Sequence, residues 1–160
     1  EKHFELAKLF DTQYVVSGSF QSTISELTAC TDNYVNQHGG IGITYETGWY
    51  KKSVISHKIM NKIYQFLQAV GSLESTDNLK ETPKSPTKIV IYDQLIPRTT
   101  HFHFKKDFAN FDVVKKGEII AQDDGKIFKA KKSSFIIFPK IDIIIGKPAC
   151  YLGSKNEFIN

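Results

Sequence analysis

The rhythm of apolar positions changes once along the chain. Over residues 2–10, "KHFELAKLF", the side chains Phe4, Leu6, Leu9 and Phe10 fall on a rough helical stripe. "YVVSG", residues 14–18, is a β-branched run closed by Ser-Gly and predicts a strand. "STISELTACTDNYVNQHGG" then opens with Thr23 and Glu26 in capping-box spacing. It carries Ile24, Leu27 and Val35 on a helical period and meets a stop at Gly39-Gly40. "IGITYE", residues 41–46, alternates like a second strand. Between Ser53 and Val70, Ile55, Ile59, Ile63, Phe66, Leu67 and Val70 recur at threes and fours, and Gly71 supplies the end of the helix. Helix, strand, helix, strand, helix over residues 1–71 predicts an α/β unit with a parallel sheet.

Residues 72–88 are rich in Ser, Thr, Pro and Lys, with little to bury, and predict a linker or exposed loop. Beyond them the helical period is lost. "KIVIYDQL", "THFHF", "GEIIAQD", "KIFKAK", "SFIIFPKI" and "PACYLG" are short runs bounded by Gly, Pro, Asp and Lys. Asp124-Gly125 is a strong hairpin dipeptide. Residues 89–153 therefore predict a small antiparallel barrel or sandwich, with 154–160 as a tail.

Composition narrows the function classes. A chain of 160 residues that is 41% hydrophobic supports one ordinary core or two small lobes. The net charge of +4 comes almost wholly from lysines, Arg98 being the only arginine, and no basic stripe suggests nucleic acid. Cys30 and Cys150 match no metal or redox spacing and read as thiols of a reducing compartment, with one disulfide as the alternative. No apolar run approaches membrane-spanning length and no signal-peptide pattern occurs, so a cytoplasmic location is expected. The first residue is Glu1 rather than Met, which reads as a piece of something longer or a processed product.

Three places could carry chemistry. Glu46 stands at the carboxyl end of the second expected strand, the end that faces the ligand crevice in open α/β sheets. A carboxylate there can serve as general base on a water; pairing with Lys51 or Lys52 is the structural alternative. His101 and His103, at i and i+2 of an expected strand, would share one face, but no third ligand is near in sequence. Lys126 follows the expected hairpin turn, where biotinyl or lipoyl carrier domains present a lysine, although the flanking residues are not theirs. No phosphate-binding Gly-rich loop, Gly-x-Ser-x-Gly elbow or His-Glu-x-x-His occurs.

"GITYETGW", the following amphipathic helix, the polar break and the segment from Val114 to Gly153 together resemble the C-terminal part of the succinylglutamate desuccinylase/aspartoacylase family. The resemblance rests on Val114 to Glu118, Asp124 to Lys126 and Phe138-Pro139 in order, and covers about residues 4 to 153. It implies half of a carboxypeptidase-like α/β/α domain with a parallel or mixed sheet, followed by a β domain that shapes the substrate entrance. It implies a zinc-dependent amide hydrolase acting on a small anionic N-acyl amino acid, with its zinc ligands upstream of this chain and none within it. Glu46 matches the family's glutamate that activates the zinc-bound water and passes its proton to the leaving amine. Pro97-Arg98 resembles a Pro-Arg near the start of the β domain of aspartoacylases, and Arg98 could grip a substrate carboxylate bidentately, a surface arginine being the alternative; Tyr151 falls where that domain offers a tyrosine to the substrate. The family's arginine about ten residues before the glutamate is missing from "CTDNYVN", a departure that bears on acetylaspartate specificity. On this resemblance the chain alone is expected to be inactive, and its incomplete sheet could recruit a second copy. The alternative reading is a non-catalytic β-barrel binding or carrier module.

Overall fold

The computed structural model describes residues 2–18, 30–47, 53–74 and 85–155. Thr23, Glu26 and the Gly48-Trp49 end of "GITYETGW" lie outside them. The chain divides into two compact units: Glu1–Val15 with Phe20–Thr87, and Val16–Ser19 with Lys88–Asn160.

The first unit contains α1 (Lys2–Lys8), the beginning of β1 (Tyr14–Ser17), α2 (Thr31–Gln37) and α3 (Ser53–Ala69). Phe10 is buried just beyond α1 and stacks on Phe66 of α3 with ring centroids 4.7 Å apart. Its ring also meets Tyr45 at 4.7 Å. The end of α3 is the one its sequence predicts. Gly71 adopts φ +76, its N–H bonds the Gln68 carbonyl and the Ser72 N–H reaches back to Leu67, a Schellman motif. α2 ends in the same way, with Gly39 at φ +82 and the Gly40 N–H on the Val35 carbonyl.

Two expectations for this unit fail. Cys30 has extended dihedrals (φ −81, ψ 134) and is the N-cap of α2, so no single helix runs from residue 22 to 38. The run 41–47 forms neither helix nor strand. Alternation makes a segment compatible with a sheet, but only a neighbouring strand supplies the ladder, and none pairs with it among the described residues. The run is held instead by the side chain of Asn36 on α2, whose Oδ1 accepts the Gly42 N–H at 2.7 Å. His3 also bonds this oxygen, at 2.7 Å. The parallel sheet expected over residues 1–71 is thus not present among the described residues.

The second unit carries β2 (Thr87–Leu95), β3 (His103–Phe104), β4 (Val113–Val114), β5 (Ile119–Asp123), β6 (Lys126–Lys129), β7 (Ser134–Ile137) and β8 (Cys150–Lys155). One sheet runs β1-β2-β8-β7-β4 and a second runs β3-β5-β6. The pairings of β2 with β8, β8 with β7, β7 with β4, and β5 with both β3 and β6 are antiparallel. The core gathers Leu95, Phe102, Val114, Ile120, Ile136 and Leu152 from both sheets. Gly153 sits on β8 where a Cβ would run into Ile89 and Ile137, so the absence of a side chain lets the aliphatic groups of β2 and β7 close over the strand.

The motifs that carried the resemblance are structural devices here. Asp124 (φ +46) and Gly125 (φ +80) form a two-residue turn that places Asp123 opposite Lys126, the mirror-image geometry favoured by Asp-Gly in hairpins. In Val-Lys-Lys-Gly-Glu, the Glu118 carboxylate accepts the Lys115 N–H at 2.9 Å, while the Gly117 N–H and Glu118 carbonyl bond Ala130. Phe138 ends β7 with φ +51, its N–H donated to Asn110 Oδ1 at 2.9 Å.

Candidate functional site

Glu46 lies near the end of the run that Asn36 and Phe10 hold in place, three residues beyond half-buried Ile43. Its carboxylate is exposed and has no hydrogen bond or ion pair among the described residues. A general base requires available lone pairs, and this carboxylate has them.

In the second unit, the chain leaving β2 turns at Pro97-Arg98-Thr99. Leu95 and Pro97 are buried, and both are tied to the loop before β8: Ala149 N–H bonds the Leu95 carbonyl at 2.8 Å, and Gly146 N–H the Pro97 carbonyl at 2.9 Å. From the other side, buried Asp123 at the end of β5 accepts the Arg98 N–H at 2.7 Å and the Thr99 hydroxyl at 2.5 Å. These two donors, the hydroxyl above all, hold the Asp123 carboxyl below the usual carboxylate range in spite of its burial. Thr99 Oγ1 in turn accepts the His101 N–H at 3.1 Å. The Arg98 side chain is exposed and its guanidinium has no described partner.

Tyr151 lies on β8, opposite Gln94 of β2 and Ile137 of β7. It alternates with Cys150 and Leu152, which point into the core, so its half-buried ring takes the other face of the sheet. Burial raises its phenol pKa. Arg98 and Tyr151 thus belong to one unit and come from the same end of the β2–β8 pair, while Glu46 belongs to the other unit.

The histidine expectation is corrected. β3 begins at His103, so His101 sits in the turn before it and the two do not share a strand face. His103 Nδ1 is within hydrogen-bond distance of the His101 carbonyl at 2.9 Å, and His101 Nδ1 lies 3.9 Å from Asp124. Among the described residues no three His, Cys, Asp or Glu side chains converge, so these donors do not fit the zinc that the resemblance implies. Lys126 lies on β6 past the two turn residues, its ammonium 5.0 Å from the Phe128 ring centroid. Cys30 and Cys150 are both free. Cys150 is fully buried, and burial with the nearby charge of Asp93 pushes its thiol up to about 12. Asp123 was not singled out from the sequence. Its only local signal is a second acid before the hairpin glycine, where the turn itself requires one.

Helices followed by a set of antiparallel strands make the chain a mixed α/β fold. It is the fold of the succinylglutamate desuccinylase/aspartoacylase structures, as the sequence resemblance leads one to expect. Similar solved structures include a succinylglutamate desuccinylase from Vibrio cholerae (TM-score 0.74, 18% identity, covering 96% of this chain and 44% of that one). A succinylglutamate desuccinylase/aspartoacylase from Rhodobacter sphaeroides aligns with TM-score 0.65 at 13% identity, covering 96% and 49%. The ectoine utilization protein EutE (DoeB) from Ruegeria pomeroyi aligns with TM-score 0.64 at 19% identity, again covering 96% and 49%. The chain spans a little under half the length of these structures, in keeping with a C-terminal part. No family model and no curated protein matches the sequence. No helix among the described residues is long and apolar enough to cross a membrane.

Proposed function

We propose that this chain is the C-terminal part of an amide hydrolase that releases the acyl group from a small anionic N-acyl amino acid, of the succinylglutamate or acetylaspartate kind. The observation that carries the reading is the likeness over 96% of the chain to the Vibrio cholerae desuccinylase. In this reading Glu46 takes a proton from the attacking water and returns it to the amine as the C–N bond breaks. Arg98 holds a substrate carboxylate through paired N–H donors, and Tyr151 contributes its hydroxyl. The zinc implied by the resemblance would be held by residues other than those described here. Among the described residues Glu46 and Arg98 are exposed and hold no ion pair, which supports these roles; Lys51 and Lys52, the pairing alternatives for Glu46, lie outside those residues.

The test is Glu46→Gln in the full-length protein. The substitution keeps the shape and removes the base, so kcat should fall by about a hundredfold or more with metal content and thermal stability unchanged. Unchanged turnover removes Glu46 from the mechanism.

A further inference from the structure

The only arginine of the chain follows a buried proline and precedes a threonine whose hydroxyl is fixed. The single peptide plane between Pro97 and Arg98 is tethered at both of its edges. The Pro97 carbonyl is bound by Gly146, and the Arg98 N–H by Asp123 Oδ2. The second oxygen of the same carboxylate takes Thr99, so Asp123 spans the Cα of Arg98 from one side to the other. Asp123 is 4% exposed, and a buried carboxylate next to an arginine would ordinarily pair with the guanidinium. Here it is used up on the backbone amide and the hydroxyl. Of two other acids nearby, Asp93 holds Lys131 at 2.7 Å, and Asp124 lies 3.9 Å from His101. The backbone under Arg98 is therefore fixed while its charged end remains open to an external anion.

We propose that Asp123 is the positioning residue for Arg98, fixing the turn so that the guanidinium is presented, unpaired, to the carboxylate of the substrate. This rests on reading Arg98 as the substrate's carboxylate grip. Fixing the Cα–Cβ direction in advance removes part of the ordering cost of binding, which is how a supporting hydrogen bond raises affinity without touching the ligand. An arginine on a free turn would order only when the ligand arrived.

The probe is succinate, titrated into the isotopically labelled full-length protein while NMR follows the Arg98 Nε–H and backbone N–H signals. The wild type should show a saturable shift at Arg98 Nε–H that chloride at equal ionic strength does not produce. Arg98→Lys should weaken succinate about tenfold, because the paired donors are lost. Asp123→Ala should weaken it at least about fivefold, with the β5–β6 hairpin signals in place and the low-field Arg98 amide signal moved upfield. Asp123→Asn should bind within about twofold of wild type, because its Oδ1 still accepts the Arg98 N–H. Should Asp123→Ala disturb the hairpin, Thr99→Val carries the test: it removes the hydroxyl anchor alone and should weaken binding measurably. Wild-type affinity in Asp123→Ala or Thr99→Val, with Arg98→Lys impaired, overturns the positioning role and leaves Arg98 as the grip. Asp123→Asn as weak as Asp123→Ala also overturns it, by assigning the effect to charge. No succinate response at Arg98 in the wild type overturns both.

Discussion

Asp123 is a residue whose importance is set by partners 24 and 25 positions away. Its carboxyl is held below its ordinary value, so the folded state prefers it ionised, and the sign of the pH dependence follows. Its contribution is complete above the unfolded value of about 4 and is lost as pH falls through the lower native value. Asp123→Asn lacks this term at every pH. The stability gap between wild type and Asp123→Asn should therefore be widest near about pH 6.5 and narrow toward about pH 2.5. Urea unfolding read from the β5 and β6 amides measures it, and a gap independent of pH would contradict an ionised, hydrogen-bonded Asp123. None of this was legible in the sequence, where "QDDGK" announces a turn and nothing more. Glu46 was legible as a candidate from its place at the end of an expected strand, although that strand did not form, while Arg98 was legible only through the resemblance over about residues 4 to 153.

Elements were legible where their determinants are local. α3 runs Ser53–Ala69 because its apolar period and its terminating glycine lie within one stretch of chain, and both can be read there. The hairpin at Asp124-Gly125 is likewise written in two residues whose backbone requires positive φ. Elements defined by a partner were not legible. β4 is two valines that count as a strand only because β7 lies beside them, and residues 41–47 carry a strand's alternation without a strand to pair with. The end of α3 offers a measurement of the local kind. Gly71 has φ +76 and open space around its α-carbon, so Gly71→Ala meets no neighbour and costs only the left-handed backbone, about 1 kcal/mol. Hydrogen exchange at Val70, Gly71 and Ser72, the amides of the terminal turn, should speed up while the β5 amides keep their rates. Unchanged exchange there would mean that the Schellman geometry does not limit the opening of the helix end.

At the scale of the whole molecule, the described residues of the two units differ in how much core they supply. Among the described residues the first buries Ala7, Phe10 and Pro86, while Tyr34, Met60, Ile63, Tyr64 and Val70 stay largely exposed. The second buries a continuous cluster from both of its sheets. Apolar area removed from water is the main favourable term in folding, so the first unit should open more readily than the second. The opening of the second unit can be measured without adding a label, because Cys150 is buried in it and Cys30 serves as the accessible reference. A chromogenic disulfide reagent at about pH 8 should react at once with exposed Cys30 in the first unit. Cys150 should react only as its unit opens, since its thiol is buried and raised to about 12. Equal rates for the two thiols in the native protein would refute the burial described for β8.

Placing one free thiol in each unit has a practical consequence. A pair of reaction half-lives, taken from a single mixture, becomes a two-channel clock: one channel is the reference for an accessible thiol, and the other counts the openings of the central strand β8. Any added chain, ligand or substitution that closes the second unit would slow the Cys150 channel relative to the Cys30 channel, and at a fixed temperature the ratio would cancel differences in reagent concentration.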